Sequence, residues 1–404
     1  MAAAHDELVY NPYAFSVHDD PYDLYRRLRD EAPAYWNDEL EFWALSRFSD
    51  VEAGFKDAST FSSAQGIALE ERRRSGPLPM LITMDPPQHS VMRKLVSRMF
   101  TPREVAAMED ETRRIINGYL DRIVDDDSCD LVADLTGPFP MDVISAVLGV
   151  PDADRDALRV EADRILVRDD GVMELPADAL EGFGALFGYF ADDLPRRRRG
   201  EGRGMITELA TVDVDGRRLT DDEVLAFCVL FIIAGHETTT KMVANAVELL
   251  SRHLDQRDLL VADPSLVPGC VEEVLRFHNS TQYMHRTLTR DLGRHGQRMR
   301  AGDSVLLLIG AANRDEREFG PTVDDFDVVR RPPRQISSFG FGAHFCLGAG
   351  LARMEGRVAL EEIHRRIPDY EVDHERKVRF HSGNVTGWTS LPMTFSPARR
   401  PASR

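Results

Sequence analysis

The chain has 404 residues, 43% of them hydrophobic and 29% charged, which is enough to build a large buried core beneath a soluble surface. Its formal net charge of −18 at pH 7 argues against a nucleic-acid partner, because phosphate binding requires a clustered basic surface. The N-terminal residues do not have the pattern of a signal peptide or an anchor, and the longest apolar run, 224–235, is shorter than the roughly 20 residues that span a bilayer.

The first hundred residues predict short strands followed by helices. A strand is expected at 42–45, and the pattern Ser49-Asp50-Val51-Glu52 predicts a helix that begins at Ser49 with a capping box. A second helix is expected after Asp85, which would cap it, with two prolines in its first turn.

Helical patterns dominate from about 100 to 260. The basic run 196–199 interrupts them and predicts a solvated loop. Thr220-Asp221-Asp222-Glu223 is another capping-box pattern, and it opens the most apolar helix of the chain. Strand-like segments return near the end, at 304–309 and 385–395. The composition predicts one domain, 1–404, that is mainly α with minor β (α+β).

Four cysteines lie far apart, at 129, 228, 270 and 346, and form no CxxC pair. This spacing argues against a disulfide framework, and no cysteine or histidine cluster completes a zinc site. Three of the cysteines are expected to be ordinary buried residues.

Cys346 differs from the other three because it lies in Phe339-Gly340-Phe341-Gly342-Ala343-His344-Phe345-Cys346-Leu347-Gly348. The glycines allow a tight turn, and the apolar periodicity of the following residues predicts that a helix starts at Cys346. The positive end of that helix would stabilise a thiolate, and a thiolate among apolar groups suits haem iron. A buried cysteine without such surroundings is more often structural.

This segment resembles the haem-binding signature FGxGxHxCxG of the cytochrome P-450 family, and every fixed position is present. Ala352-Arg353-Met354-Glu355 resembles the family's continuation, and the similarity extends over nearly the whole chain. The resemblance implies a triangular, mainly α prism with haem b (iron protoporphyrin IX) between two long helices. It also implies that Cys346 is the iron ligand.

The apolar helix at 224–235 runs into Ala234-Gly235-His236-Glu237-Thr238-Thr239-Thr240. Glycine and threonines are poor helix formers, and threonine hydroxyls can bond to preceding carbonyls and open a groove beside Gly235. The alternative is a helix end whose polar residues turn outward. The segment is similar to the family's oxygen-activating motif A-G-x-[DE]-T, which implies that Thr238 positions dioxygen and Glu237 relays protons.

The resemblance also implies residues that contact the haem. His89 and Arg93, four apart on one helix, would meet the haem carboxylates together with Arg286 and His344. The remaining expected haem contacts are Ala234, Phe339 and Gly348. Glu273, Arg276 and Arg330 match the family's ExxR network and are expected to act in folding.

The expected substrate pocket is mostly apolar, which favours a sterol, terpenoid, fatty acyl or polyketide-like molecule without ordering these classes. Family members usually carry a proline in the connector 277–284, and this chain has none, which leaves open whether Tyr283 or Met284 faces substrate. Helical segments between about 155 and 200 are expected to cover the pocket. The expected pocket residues are Leu81, Ile82, Ile233, Ala234, Tyr283, Met284 and Trp388.

The resemblance implies insertion of one atom of dioxygen into a lipophilic substrate by hydroxylation or epoxidation, with NAD(P)H as the ultimate electron source. No flavin, iron–sulfur or dinucleotide segment is present, so a separate ferredoxin and ferredoxin reductase would deliver the electrons. Two alternatives are a peroxide-driven peroxygenase and a non-enzymatic haem-binding protein. We expect a cytoplasmic monomer without a membrane partner. Apart from Arg93, the candidate basic residues for docking are Lys94, Arg98, Arg331, Arg334 and Arg357.

Overall fold

A computed structural model of the chain describes residues 7–73, 79–214 and 217–396. Within these ranges the chain forms sixteen α-helices, numbered here in chain order. They are α1 Phe15–Asp19, α2 Tyr22–Glu31, α3 Phe48–Lys56, α4 Gln88–Ser97, α5 Pro102–Ala107, α6 Glu109–Ile123, α7 Pro138–Leu148, α8 Arg155–Leu166, α9 Ala177–Arg198, α10 Met205–Thr211, α11 Asp221–Arg252, α12 Leu254–Ala262, α13 Val267–Phe277, α14 Ile309–Ala312, α15 Glu316–Phe319 and α16 Ala349–Arg366.

Fourteen short strands occur in the same described ranges. They are β1 Ala34–Asn37, β2 Phe42–Leu45, β3 Phe61–Ser62, β4 Ser128–Asp130, β5 Asp213–Val214, β6 Arg217–Arg218, β7 Tyr283–Leu288, β8 Leu292–Arg294, β9 Gln297–Met299, β10 Ser304–Leu308, β11 Asp369–Val372, β12 Val378–His381, β13 Thr386–Ser390 and β14 Pro392–Ser396. The predicted mainly α fold with minor β is therefore confirmed.

Helix α11 runs through the core and organises the other helices around it. Thr220 caps it as predicted, since its hydroxyl accepts a hydrogen bond from the Glu223 N–H while the Glu223 carboxylate accepts one from the Thr220 N–H. Side chains are buried on all sides of α11, because α7, α8, α9, α13 and α16 pack against it. By length and composition α11 could cross a membrane, but most of its apolar stretch is buried within the protein.

The largest sheet has five strands in the order β1-β2-β10-β7-β3. Strand β10 pairs parallel with β2 and antiparallel with β7, with Val305 opposite Arg286 and Leu307 opposite Met284. Successive side chains of a strand point to opposite faces, so Met284 and Arg286 share one face of β7 and Tyr283 lies on the other. Met284 and Arg286 therefore face the cavity between α11 and α16, and Tyr283 does not. The smaller sheets are β11-β14-β4, β12-β13, β5-β6 and β8-β9.

A buried ion-pair network joins α13 to the segment that precedes the cysteine loop. Arg276 donates two hydrogen bonds of 2.7 Å to the Glu273 carboxylate, and the Arg330 Nε donates a third, of 3.1 Å. Arg276 also donates to the carbonyl of Val323 at 2.8 Å. Because Glu273 and Arg276 are each only 1% exposed, these contacts compensate charges that water cannot reach.

Two predicted helix starts are wrong in detail. Helix α3 begins at Phe48 after Arg47, so Ser49 lies inside it and does not cap it. Helix α4 begins at Gln88, and the Asp85 carboxylate accepts hydrogen bonds from the Ser62 hydroxyl and the Ser63 N–H instead of capping that helix. Helix α3 thus begins one residue earlier than predicted. At Asp85, partners that are distant in sequence replace the predicted cap.

The predicted solvated loop at 196–199 is also wrong, because α9 continues through Pro195 to Arg198. Arg197 is almost completely buried, and its guanidinium donates to Asp193 and to the carbonyl of Gly149, each at 2.7 Å. Part of the basic run therefore fastens α9 to the end of α7.

Candidate functional site

A cavity lies between α11 and α16. Residues 234–242 of α11 contribute one wall, and Cys346 with the start of α16 contributes the opposite one. Strand β7 and the connector before it form a side. The cavity is lined by Phe55, Leu81, Ile82, His89, Arg93, Phe100, Ile144, Leu230, Phe231, Ala234, Gly235, Thr238, Thr239, Met242, Leu275, Asn279, Ser280, Thr281, Met284, Arg286, Ile309, Ser338, Phe339, Gly340, His344, Cys346, Leu347, Gly348, Leu351, Ala352 and Glu355.

The loop before α16 brings Cys346 to the cavity by two glycine turns. Gly340 and Gly342 both have φ of +66°, in the left-handed region that disfavours other residues. A Cβ on Gly342 would also lie 2.8 Å from the carbonyl oxygen of Phe55. The Cys346 N–H then donates to the carbonyl of Phe339 at 2.8 Å, which closes the loop around the cysteine.

The thiol of Cys346 is accessible, but what it meets is the cavity and not the outer surface, since Cys346 is one of the lining residues. Surrounding protein raises the pKa of this thiol, while the N–H groups of Gly348 and Ala349 and the charges of Arg93 and Arg353 act to lower it. Helix α16 begins at Ala349 and not at Cys346 as predicted, so the cysteine precedes the helix and meets its first N–H groups. A cation bound in the cavity beside Cys346 would stabilise the thiolate further.

Two guanidinium groups enter the same cavity without a carboxylate partner. Arg286 is 3% exposed and donates only to the carbonyl of His285 among the described residues, at 2.7 Å, and burial lowers its pKa to about 10. Arg93, half buried, donates to the carbonyl of Phe345 at 2.5 Å. Buried charges are normally paired, so this part of the cavity requires an anionic group. The two carboxylates of haem fit that requirement.

Two imidazoles complete this cationic edge of the cavity. The rings of His89 and His344 lie 4.1 Å apart, and both ring nitrogens of His89 are buried without a hydrogen-bond partner in the described part of the chain. Burial lowers the pKa of both histidines, that of His344 to about 3. A neutral imidazole keeps one N–H that can donate to a carboxylate, so these two residues fit the same ligand as the arginines.

On the opposite wall, Thr238 and Ala234 face the cavity, and the Thr238 hydroxyl donates to the Ala234 carbonyl at 2.8 Å. The predicted bond from hydroxyl to carbonyl is therefore present. The predicted opening of the helix is not, because α11 is continuous from Asp221 to Arg252. The missing side chain of Gly235 lets Ile144 pack closely against α11, since a Cβ there would lie 3.0 Å from Ile144.

Glu237 is not among the cavity-lining residues. Its carboxyl is 2% exposed and packs on the other side of α11, where Oε2 lies 3.1 Å from the Lys241 Nζ and Oε1 lies 3.9 Å from the His236 Nε2. His236 Nε2 is also 2.8 Å from the Asp163 Oδ1 on α8. Atoms of Asp163, His236 and Glu237 lie within 4.8 Å of one another, as in some metal sites, but the Lys241 ammonium already supplies a positive charge there.

Four of the seven predicted pocket residues line the cavity, namely Leu81, Ile82, Ala234 and Met284. Ile233 does not, because it lies one position away on α11 and packs against the surrounding helices. Tyr283 points to the opposite face of β7, into a cluster with Tyr13 and Tyr25. Trp388 is buried in the main core on β13, where its carbonyl accepts a hydrogen bond from Lys241.

Sequence reasoning missed several lining residues that other segments bring to the cavity. Phe100 and Phe231 stack with ring centroids 5.6 Å apart, and Ile144 reaches the cavity from α7. No described residue of 155–200 lines it, so α8 and α9 cover α11 from outside. The lining position of Phe231 could have been predicted from spacing, because Phe231 lies one turn before Gly235 on the same helix face.

Glu355 on α16 was also missed as a site residue. Its carboxyl is 2% exposed and lines the cavity, and Oε2 has no hydrogen-bond partner among the described residues. Burial raises its pKa well above the ordinary range, while a hydrogen bond with Thr239 acts to lower it. The group is therefore a neutral acid at pH 7.

Comparison with known proteins agrees with this geometry. The family model described as cytochrome P450 matches residues 197–379. "Putative cytochrome P450 123" of Mycobacterium tuberculosis (strain ATCC 25618 / H37Rv) is 44% identical over 391 residues, covering 96% of this chain and 97% of that protein.

Two further relatives have names that state a ligand or a reaction. The "Steroid C26-monooxygenase" of Mycolicibacterium smegmatis (strain ATCC 700084 / mc(2)155) is 36% identical over 379 residues, covering 93% of each chain. The crystal structure of CYP109E1 from Bacillus megaterium in complex with testosterone has a TM-score of 0.88 at 30% identity, covering 94% of this chain and 98% of that one.

Proposed function

Since this chain belongs to the cytochrome P450 family and is a cytochrome P450 monooxygenase, we propose that it inserts one atom of dioxygen into a steroid-sized lipophilic substrate held above Cys346. The observation that carries this proposal is that one cavity joins Cys346, Thr238 and two guanidiniums that have no carboxylate within ion-pair distance among the described residues. A thiolate ligand, partners for two carboxylates and a hydroxyl facing the cavity are what a haem-thiolate oxygenase requires.

The haem, when bound, supplies the iron that binds and activates dioxygen. Cys346 would hold the iron, while Arg93, Arg286, His89 and His344 would hold the two carboxylates. The Cys346 loop excludes water from the sulfur, since Phe339 and Leu347 flank it in the cavity wall. Apolar side chains on the Thr238 side keep bulk water from the substrate.

Monooxygenation consumes two protons as well as two electrons, and the chain must deliver both protons to the cavity. We assign the last step to the Thr238 hydroxyl, which lines the cavity and can still accept a hydrogen bond while it donates to the Ala234 carbonyl. We assign the supply to Glu237, because burial raises its pKa and so favours its protonated form. The two residues are adjacent in α11.

The substrate class follows from the lining and from the relatives. Around the α11 wall the side chains are large and apolar, including Phe100, Ile144, Leu230 and Phe231, while Asn279, Ser280 and Thr281 of the connector give one polar edge. A rigid, largely apolar molecule with a polar end fits these surroundings. The steroid named for a relative and the testosterone named for a similar structure have this chemistry.

We propose that a ferredoxin and its reductase carry electrons from NAD(P)H, and that enzyme and partners share the cytoplasm. Of the predicted docking residues, Arg334 is paired with Glu318 and Arg357 with Glu109, so their charges are partly neutralised. Lys94, Arg98 and Arg331 are exposed, and no described carboxylate lies within ion-pair distance of them. These three would attract an acidic partner by charge.

The test begins with spectra and ends with labelled oxygen. The reduced protein with carbon monoxide should show the red-shifted Soret band of thiolate ligation, and Cys346→Ser should lose it. Testosterone, a sterol, a terpenoid, hexadecanoic acid and a macrolide then form a panel, screened for spin-state shifts of the Soret band. Turnover of each binder with ferredoxin, reductase and NADPH under ¹⁸O₂ should give product with one labelled oxygen.

The same experiment separates the alternative function. A peroxygenase would form product with hydrogen peroxide and not with the reductant system. Product from the reductant system that carries no label from ¹⁸O₂ would contradict the proposed reaction, as would an unchanged carbon monoxide spectrum in Cys346→Ser.

A further inference from the structure

A line of polar side chains connects the protein surface with the buried acid next to Thr238. Asp163, on α8, keeps 41% of its side chain exposed, whereas His236 and Glu237 are 1% and 2% exposed. His236 Nε2 lies 2.8 Å from the Asp163 Oδ1 and 3.9 Å from the Glu237 Oε1. The imidazole therefore stands between a carboxylate that meets solvent and a carboxyl that does not.

Burial and neighbouring groups shift the pKa values of the two acids in opposite directions. Burial raises the pKa of Glu237, and the negative charge of Asp163 raises it further, against the effects of Lys241 and His236. Burial also acts to raise the pKa of Asp163, but a hydrogen bond from His236 lowers it overall. Burial therefore favours the protonated form of Glu237, while Asp163, nearer to solvent, favours the ionised form that can accept a proton.

Among the described residues, the charged groups within ion-pair distance of this pair belong to α8 and α11. Arg159 on α8 lies 3.6 Å from the Asp163 Oδ2, and Lys241 on α11 lies 3.1 Å from the Glu237 Oε2. On β13, the Trp388 carbonyl accepts a hydrogen bond from Lys241 at 3.0 Å. Each acid thus has its own cation, and His236 is the group that contacts both.

We propose that Asp163 is the solvent-side carboxylate of a proton relay that reloads Glu237, and that His236 positions the two acids. The inference rests on the proposed function, because only a monooxygenase turnover consumes protons at this place. One C–H bond, one dioxygen, two electrons from NAD(P)H and two protons give one alcohol and one water. Each proton that leaves Glu237 for the cavity is replaced by one that Asp163 takes from solvent.

A purely structural role explains the arrangement less well. Lys241 alone would compensate an ionised Glu237, and a half-exposed ion pair such as that of Asp163 contributes little to stability. A second carboxylate near a buried one makes ionisation of the pair more costly. Local arrangements that oppose stability are expected at functional sites.

The test compares Asp163→Asn with Asp156→Asn in the holoenzyme. Both substitutions remove a carboxylate of α8 that contacts Arg159, but Asp156 is 91% exposed and lies about two turns before Asp163. The probe is testosterone or, where the wild type does not oxidise it, the panel compound that it oxidises. Readouts are the NADPH-driven rate, its solvent deuterium isotope effect and the peroxide-driven rate.

Asp163→Asn should lower the NADPH-driven rate by about tenfold or more, since acid–base assistance typically contributes factors of about 100 to 10,000. Its solvent isotope effect should rise, because proton delivery becomes slower than the other steps. Hydrogen peroxide brings its own electrons and protons, so the peroxide-driven rate should not change. Asp163→Glu should recover most of the NADPH-driven rate, and Asp156→Asn should match the wild type.

An Asp163→Asn rate equal to that of Asp156→Asn would overturn the relay, and so would an equal loss of NADPH-driven and peroxide-driven rates, which indicates a structural defect. Haem content and the Soret shift with the probe are measured in every variant to detect such a defect directly. Failure of the wild type to oxidise any panel compound would count against the proposed function and not against the relay.

Discussion

Arg276 and Arg286 lie close together in the sequence and are both almost completely buried, yet their surroundings differ. Arg276 donates two hydrogen bonds to Glu273 and more to backbone carbonyls, so its charge is compensated within the chain. Arg286 meets one backbone carbonyl and, among the described residues, no carboxylate. The first arginine completes the fold, and the second requires something that the chain does not contain.

The same contrast separates two regions of the molecule. Behind the cysteine loop, around α13, buried charges are matched by partners from the chain. In the cavity, buried polar groups lack partners, including the ring nitrogens of His89 and the Glu355 Oε2. Because burial without a partner is costly, such groups indicate where a ligand belongs. Substitutions in the two regions should therefore fail in different ways.

The largest effect is expected in the paired region. Glu273→Gln leaves Arg276 and Arg330 buried with reduced compensation, which typically costs about 3–5 kcal/mol. Glu272→Gln is the matched control, since its pair with Arg353 is about one-third exposed and should contribute less than about 1 kcal/mol. The urea and thermal midpoints of the two holoproteins measure the difference. Equal midpoints would show that the network does not stabilise the fold.

Arg286→Met should affect haem retention and spare the fold. A charge-assisted hydrogen bond contributes about 1.5–3 kcal/mol, so haem should leave about tenfold to a hundredfold faster. The double variant with Arg93→Ala should lose it faster still. The rate of haem transfer to excess apomyoglobin measures this, with Arg290→Met as the control because Arg290 pairs with Asp57 at the surface. Wild-type retention in the double variant would contradict the carboxylate role.

Thr238→Ala should leave both fold and haem retention intact and change how electrons are used. Without the hydroxyl at the cavity wall, proton delivery to the right oxygen atom fails more often. Less product and more hydrogen peroxide should then form per NADPH oxidised. Glu237→Gln should slow turnover with less peroxide, because the hydroxyl remains.

Thr240→Val is the control for Thr238→Ala, since the Thr240 hydroxyl is buried without a partner among the described residues and does not line the cavity. Product and peroxide per NADPH are measured for each variant. Unchanged coupling in Thr238→Ala would mean that this hydroxyl does not guide protons.

The features that sequence predicted well are those set by local chemistry. The glycine turns, the cap at Thr220 and the place of Cys346 depend on residues within a few positions of one another. The direction of Glu237 could also have been predicted, because residues four apart share a helix face. The cavity face of α11 is the arc marked by Phe231, Gly235 and Thr238, and at about 100° per residue Glu237 falls outside that arc.

The features that sequence missed depend on distant partners. Asp163 meets His236 across two helices that are separated by α9 and α10. Arg197 is buried because the end of α7 accepts its hydrogen bonds, which no local pattern announces. Tyr283 and Met284 are neighbours on β7, so their side chains point to opposite faces of the sheet. The register with β10 had to be known to decide which of the two faces the cavity.

The smallest change in stability near pH 5 is expected from Glu355→Gln. Burial keeps the Glu355 carboxyl protonated at neutral pH, so glutamine replaces one neutral group by another of similar shape. Stability near pH 5 should therefore change little. The control is Glu362→Gln on the same helix, because Glu362 is buried but accepts hydrogen bonds from Arg113 and Arg365.

The two variants should respond to pH with opposite signs. The pKa of Glu355 is raised above its ordinary value of 4.5, so the folded protein keeps a proton that the unfolded chain loses, and its contribution to stability falls as pH rises. Glu355→Gln removes that loss and should gain stability relative to the wild type between about pH 5 and pH 8.

Burial acts to raise the pKa of Glu362, but its arginine partners lower it overall, so its contribution to stability is present above the ordinary pKa and lost in acid. Glu362→Gln should accordingly be less stable than the wild type at pH 8, with a deficit that shrinks below about pH 5. Urea midpoints of the holoproteins across this range measure both slopes. If Glu355→Gln loses stability relative to the wild type as pH rises, Glu355 is ionised in the folded protein, and the cavity holds a cation partner for it.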